Sequence, residues 1–523
     1  MQVQRLLALL DAARALRKSG RKDEAEQACR EALRIAPDSE RAHCELGNLF
    51  FARGSLEEAE AAYRAALERA PRDAEARFRL GNALKELGRL AEAAAAYREV
   101  LAAHPKHHAA HSNLIFLLDL MPEFDTAAQQ AERRRWHDLH ARSLAAGIAP
   151  FSNRRDAERR LRIGLVSSDF REHAAAKCFG PVLRHHDRSA FEMFCYDSGR
   201  IEDAVTRELR AAAEGWCSAA DLPDEALAAR IRSDGVDVLV DLSGHTNGSR
   251  LLVFARKPAP VQISGWGHVN GTGLPTVDYL VSDATLIPAA LRGLFAEQIA
   301  DLPCFLCYEP FGEVPPVAPL PSLARGSFTF GSKNRPEKIS EATLALWSRI
   351  LHAVPQSRLV LQSLRLGKPA REEIRRRFAE HGIAAERLTL LGAVDNHLRV
   401  LDDIDLALDP FPNNGMITTA EALWMGVPVL TLAGSTPAGR AGAAILSAAG
   451  MPDWIARDEA EYVRIATEFA EEREFLARLR ATLRERLAQT PVFDGRACAT
   501  AAGALFRRAW RRWCDNPPPG GAT

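Results

Sequence analysis

The chain has no excess of charge of either sign. It carries 68 lysines and arginines against 68 aspartates and glutamates in 523 residues. Such a balance gives no bulk electrostatic pull toward nucleic acid or an anionic surface. Nine cysteines are scattered and odd in number, which speaks against a disulfide framework. The lone Cys304-x-x-Cys307 has neither a second pair nor a nearby histidine cluster, so it lacks the ligand set of a zinc site. The apolar run Leu6–Leu10 is too short for a signal peptide or a membrane span. No Gly-x-Gly-x-x-Gly follows a first strand and no Walker A sequence is present, so neither a dinucleotide fold nor an ATP fold is signalled. These absences predict a cytoplasmic protein with no membrane and no nucleic-acid partner. The length predicts about three or four domains at ~150 residues each.

The first quarter of the chain repeats itself every 34 residues. Gly20, Gly54 and Gly88 share that spacing, as do Ala25, Ala59 and Ala93, and Pro37, Pro71 and Pro105. Leu46, Leu80 and Leu114 follow it, and so do Ala42, Ala76 and Ala110. A 34-residue period with small residues at fixed places is the mark of tetratricopeptide repeats. Each unit pairs two short helices, with glycine at the turn between them and alanine where they cross. Proline closes the second helix because it cannot continue one. Three pairs are predicted over about residues 3–105, and further helical pattern runs to about 148.

Composition then changes. Leu161–Val166, Val236–Asp241, Val261–Ser264 and Tyr279–Ser282 read as short strands, with a helical stretch over 203–233. A proline-rich linker, Pro315–Pro321, precedes a second set of strands at Phe328–Phe330, Leu359–Leu361, Leu388–Leu390, Leu406–Leu408 and Val427–Thr431. Strands alternating with helices predict two parallel sheets with helices on both faces. Ligands in such sheets bind at the C-terminal edge of the strands, so a cleft between two lobes is the expected site. The predicted order is a repeat array over 1–125 and a helical linker over 126–158. A first lobe over 159–322 and a second lobe over 323–490 follow. A C-terminal helix with a disordered tail, 491–523, ends the chain; the tail holds Pro517-Pro-Pro-Gly-Gly521.

Three constellations carry chemistry. In the first, a strand ends at Asp409, a Pro/Asn/Gly loop follows, and a helix starts near Ile417 with Thr418 and Thr419 in its first turn. A helix N-terminus offers free N–H groups and a positive dipole end suited to phosphate. Glu421, one turn on, is placed for sugar hydroxyls, although threonine there also serves as an ordinary cap. In the second, Lys338 follows the strand 328–330 and is placed to meet a diphosphate as a point charge, or to stay solvated as most lysines do. In the third, His173 and His245 lie on strand-end loops, where histidine either handles an acceptor proton or caps a helix. Asp402-Asp403-Ile-Asp405 reads as a solvated helical face and not as a metal site.

Taken together these stretches resemble the O-linked N-acetylglucosamine transferases of the SPINDLY type, in a bacterial form. The matching segments are Leu161–Phe170 with His173, Val238–His245, Phe254–Gln262, Lys338-Ile-Ser with Leu344 and Trp347, Asp409-Pro-Phe-Pro with Asn414-Gly415, and Ala422–Pro428. The resemblance implies a GT-B fold of two Rossmann-like lobes behind a helical solenoid. It also implies inverting, metal-independent transfer from a nucleotide-sugar, UDP-N-acetylglucosamine foremost, to serine or threonine hydroxyls of proteins chosen by the array. Protein O-fucosylation from GDP-fucose, or a scaffold whose lobes no longer turn over, are the alternatives it leaves. Carried over by position, His173 and Lys338 are catalytic. Arg335, Lys338, His397, Arg399, Asn414, Gly415, Thr418 and Glu421 bind the donor. His245 and His268 lie on the acceptor side, and no metal is held. The chain departs from the family pattern at Ala174, Arg335, Met416, Ile417 and the loop Gly267–Gly273.

Overall fold

The computed structural model describes residues 2–516, and the proline-rich tail expected to be disordered lies outside them. The chain divides into two compact units, Met1–Met121 and Pro122–Thr523.

The first unit is a run of antiparallel helix pairs: Gln2–Lys18 with Lys22–Ile35, Glu40–Arg53 with Leu56–Arg69, and Ala74–Glu86 with Leu90–Ala103, followed by His108–Leu118. The 34-residue period has a physical reading at each position. Gly20, Gly54 and Gly88 have φ of 80°, 80° and 78°, a left-handed turn that L side chains resist. Ser39, Asp73 and His107 accept backbone N–H bonds and cap alternate helices, those starting at Glu40, Ala74 and His108, filling donors a helix start leaves unpaired. Ala25, Ala59 and Ala93 are buried where helices cross. Gly47 and Gly81 lie under the rings of Tyr63 and Tyr97, where an added Cβ would come within 2.6 Å of a ring carbon. Those tyrosines donate to Asn48 at 3.0 Å and Asn82 at 2.7 Å.

The second unit holds two sheets. The first contains β1 (Leu161–Ser167), β2 (Phe191–Asp197), β3 (Gly215–Ser218), β4 (Val238–Asp241), β5 (Val261–Ser264), β6 (Tyr279–Ser282) and β7 (Gln298–Asp301) in the order β3-β2-β1-β4-β5-β6-β7. The second contains β8 (Thr329–Ser332), β9 (Arg358–Gln362), β10 (Leu388–Leu391), β11 (Leu406–Leu408), β12 (Val429–Leu432) and β13 (Ile455–Ala456) in the order β10-β9-β8-β11-β12-β13. Their pairings are parallel. Strand order reverses between β1 and β4 in one sheet and between β8 and β11 in the other. These are the switch points where loops diverge and a crevice opens.

Several elements differ from expectation. Strands β2, β3, β7 and β13 are additions, and the stretch 203–233 is two helices, Ala204–Ala212 and Asp224–Ser233, separated by β3. The segment read as a helical linker is built into the second unit. In its helix Thr126–Trp136, Gln130 donates to the carbonyl of Asn270 at 2.6 Å and Arg133 to that of Gly271 at 3.1 Å. The proline-rich segment is pinned, because Arg484 and Arg480 donate to the carbonyls of Pro315 and Ala318. The last helix, Gly495–Asp515, returns to the first sheet: Gly503 approaches the ring of Phe191, and Trp510 donates to the carbonyl of Asp156. Among the described residues no helix is long and apolar enough to cross a membrane.

The tyrosine-over-glycine contact yields a prediction. Gly81→Val forces a branched side chain into the ring of Tyr97 and destabilises the array by ~1–3 kcal/mol. Gly54→Ala, strained only by its φ, costs about 1 kcal/mol. Hydrogen exchange over residues 74–103 of the full-length chain checks the first, and unchanged protection in Gly81→Val contradicts it.

Candidate functional site

The site grows from the second sheet's switch point. Residues leaving β8 (Lys333, Asn334, Arg335 and Lys338) meet the loop that leaves β11 at Asp409. That loop is held rigidly. Asp409 accepts the N–H of Gly415 at 2.6 Å and the hydroxyl of Thr431 at 2.8 Å. The carbonyl of Phe411 accepts the hydroxyls of Ser340 and Thr343 at 2.8 and 2.6 Å. Asn414 donates its amide to the carbonyl of Pro410 at 2.9 Å and its backbone N–H to Ala438 at 3.0 Å. Gly415 is required by closeness: a Cβ there would stand 2.6 Å from the hydroxyls of both Thr418 and Thr419. The helix Ile417–Trp424 then begins at Met416 with no side-chain cap, so its first-turn N–H groups keep the dipole's positive end available to an anion.

Lys338 ends a short turn, Pro336–Lys338, and is buried. Its Nζ donates to the carbonyl of Asn414. Burial and the neighbouring Arg335 push its pKa down to about 7, because neither a dry site nor a second cation favours the ammonium. Burial also raises the pKa of Asp409. Thr418 donates to Asn334 at 3.1 Å, which ties the first turn of the helix to the β8 loop.

Glu421 is the most heavily engaged side chain here. It is buried, and three cationic or potentially cationic groups surround it. Lys177 and the Nε2 of His397 each reach Oε1 at 3.0 Å, and Lys333 reaches Oε2 at 2.9 Å. Burial opposes its charge, yet Lys333, His397 and Lys177 hold its carboxyl well below the usual carboxylate range. Because His397 donates through Nε2, its neutral ring keeps Nδ1 as an acceptor. Arg399 lies apart from this cluster, half exposed and paired with Asp402 at 3.3 Å.

His173 caps the first-lobe helix Ala174–His185. Its Nδ1 accepts the N–H of Ala175 at 3.2 Å and stands 3.5 Å from Asp169. Burial lowers its pKa against the pull of Asp169. With Nδ1 accepting, the neutral ring carries its proton on Nε2. That suits His173 to donate to an acceptor oxygen rather than to strip its proton.

The two histidines expected on the acceptor side are interior. His245 is fully buried, bonded to the carbonyl of Thr272 at 2.8 Å and packed edge-on to Trp136 at 5.1 Å. His268 is buried, and its Nδ1 accepts the N–H of Asn270 at 3.3 Å. The strand-end position of His245 was legible, as was helical structure over 126–136, but the packing of that helix on His245 was not. The acidic run also reads differently. Asp405 is no solvated residue but is buried, accepting the N–H groups of Ser322 at 2.9 Å and Thr329 at 2.8 Å. Sequence reasoning missed Lys177 and Lys333. The fourth-residue spacing of His173 and Lys177 put them on one helical face, the one signal that pointed to Lys177.

The model described as glycosyl transferase family 41 matches residues 139–307 and 321–501, and tetratricopeptide repeat models match 6–49 and 44–114. The chain is 36% identical over 382 residues to a probable UDP-N-acetylglucosamine--peptide N-acetylglucosaminyltransferase SPINDLY of Arabidopsis thaliana, covering 71% of this chain and 41% of that protein. It is 24% identical over 478 residues to the UDP-N-acetylglucosamine--peptide N-acetylglucosaminyltransferase of Caenorhabditis elegans, covering 69% of this chain and 41% of that protein. The chain thus spans about two-fifths of the length of these relatives. A solved structure of a lysine-to-methionine variant of the Thermobaculum terrenum O-GlcNAc transferase is 35% identical, with a TM-score of 0.92, over 98% of this chain and 99% of that one. Helical repeats and two parallel-sheet lobes, with a family match across both lobes, establish that this chain belongs to glycosyl transferase family 41.

Proposed function

We propose that this chain transfers N-acetylglucosamine from UDP-N-acetylglucosamine to serine or threonine hydroxyls of proteins that its repeat array selects. The observation that carries the reading is Lys338. It is a buried lysine at a sheet switch point whose Nζ is turned to a carbonyl at the mouth of an uncapped helix. A buried cation beside free helix N–H groups suits a diphosphate. In this reading the donor lies across the cleft, with its diphosphate on Lys338, Asn414-Gly415 and the turn at Thr418, and with Arg335 beside it. Its ribose hydroxyls sit on Glu421, and its base lies beside His397. Arg399 is left out of the set on account of its solvent-facing pair with Asp402.

Breaking the glycosidic bond to the nucleotide leaves negative charge on the diphosphate while the anomeric carbon becomes oxocarbenium-like. Lys338 and the helix dipole stabilise that charge as it develops. They supply the positive charge a divalent ion supplies elsewhere, which supports transfer without a metal. His173 orients the acceptor hydroxyl from the first lobe. The names of the plant and nematode relatives support the choice of donor and acceptor. Nine free thiols support a cytoplasmic setting.

Lys338→Ala is expected to lower kcat about 10²–10³-fold with an unchanged Tm. The wild type is expected to keep its rate in EDTA. A variant with near wild-type turnover, or a wild type that needs added metal, refutes the assignment.

Diphosphate binding favours the charged form of Lys338, whose pKa in the free protein is pulled down to about 7. Above neutrality, then, binding takes up a proton and affinity falls as pH rises toward 9. Calorimetry of UDP in buffers of different ionisation enthalpy checks this, and pH-independent binding between 7 and 9 contradicts it.

Removing residues 1–121 is expected to leave UDP affinity intact while transfer to whole-protein acceptors falls. Equal transfer by the truncated chain contradicts the role given to the array.

A further inference from the structure

Lys177 belongs to the first lobe, on the helix whose N-terminus His173 caps. Glu421 belongs to the second lobe, 244 residues further on. Their ion pair, at 3.0 Å with both side chains buried, bridges the cleft at the carboxylate proposed to hold the donor's ribose. The lysine's other ion-pair partner, Glu172 at 3.1 Å, is half exposed. Lys177 lies one helical turn beyond His173, and its backbone N–H bonds to the carbonyl of His173 at 3.4 Å. One side chain therefore ties the acceptor-side histidine to the donor-side carboxylate.

The carboxylate itself has little freedom. Oε1 is shared by Lys177 and His397, and Oε2 is taken by Lys333 from the loop after β8. An ionised carboxylate offers about four lone-pair sites. The three donors fix its plane and leave the remaining acceptor capacity in a set direction. Without Lys177, Oε1 keeps only His397, and the first lobe loses its buried charge contact with this carboxylate.

We infer that Lys177 is a positioning residue for the donor: it orients Glu421 for the ribose and sets the register of the acceptor-facing helix against the nucleotide lobe. The inference rests on the nucleotide-sugar reading above. It makes nucleotide affinity depend on a first-lobe side chain that lies one turn away from the acceptor-facing position.

The test is calorimetric titration of UDP into the full-length wild type, Lys177→Met, Lys177→Gln, Lys177→Arg, Glu421→Gln and the double variant Lys177→Met/Glu421→Gln, with Tm measured for each. Loss of a buried, desolvated charge contact is expected to raise Kd about tenfold in the methionine and glutamine variants. Arginine, which keeps the cation, is expected to stay within about threefold. In the Glu421→Gln background, Lys177→Met is expected to add less than about twofold, because the two residues act as one unit. Glu172→Gln is expected to change nothing, because its pair is screened by solvent. The donor KM is expected to follow Kd. The glutamine variant keeps the test alive if the methionine variant fails to fold. An unchanged Kd in Lys177→Gln, a lowered Tm with unaltered affinity, or an equal loss in the Glu421→Gln background overturns the inference while leaving the nucleotide reading intact. A wild type that binds no UDP overturns the reading itself.

Discussion

A carboxylate buried away from water costs several kcal/mol unless positive charge meets it. Glu421 is such a carboxylate, and much of the second unit's geometry answers that requirement. Lys333 is brought by the loop after β8, His397 by the turn before β11, and Lys177 by the first helix of the other lobe. Each partner is buried or half-buried in turn, and the two lysines need the carboxylate as much as the carboxylate needs them. Breaking one contact leaves an unmatched charge in a dry place, which is why such clusters hold one arrangement and not several.

The same dry setting acts in the opposite sense a few residues away. Lys338 faces the second cation Arg335, and burial and that neighbour weaken its hold on the proton. One carboxylate kept charged lies one turn into the helix Ile417–Trp424, and one lysine held near neutrality bonds to the loop just ahead of its uncapped start. The first suits hydroxyl groups that donate. The second suits an anion that restores the lysine's charge on arrival. A nucleoside diphosphate carries both kinds of group in the order the protein presents their counterparts.

Much of this was legible in the chain. The array declared itself because its constraints are local and repeated: a left-handed glycine at Gly20, Gly54 and Gly88, and an alanine at each helix crossing. The strands β8 to β12 showed as short apolar-rich runs between helices, and the loop after β11 showed by its Asn-Gly turn ahead of a helix. What escaped was decided by distant packing. β13 is two residues long, and β3 is a four-residue edge strand held by its neighbour's ladder, so neither carries a periodic signal. His245 obeys the strand-end rule, yet Trp136 from a helix more than a hundred residues earlier covers it. Lys177 and Lys333 went unnoticed, since only the meeting of residues 244 and 88 positions from Glu421 buries them.

The central claim is that the diphosphate of a nucleotide-sugar sits between Lys338 and the start of the helix Ile417–Trp424, with its ribose on Glu421. A crystal structure of the full-length chain with UDP tests it most directly. The account predicts phosphate oxygens within hydrogen-bond distance of Lys338 Nζ and of the N–H groups at Ile417–Thr419, and a ribose hydroxyl on a Glu421 oxygen. UDP bound with its phosphates away from Lys338, or with Glu421 still closed to the ribose, would contradict it.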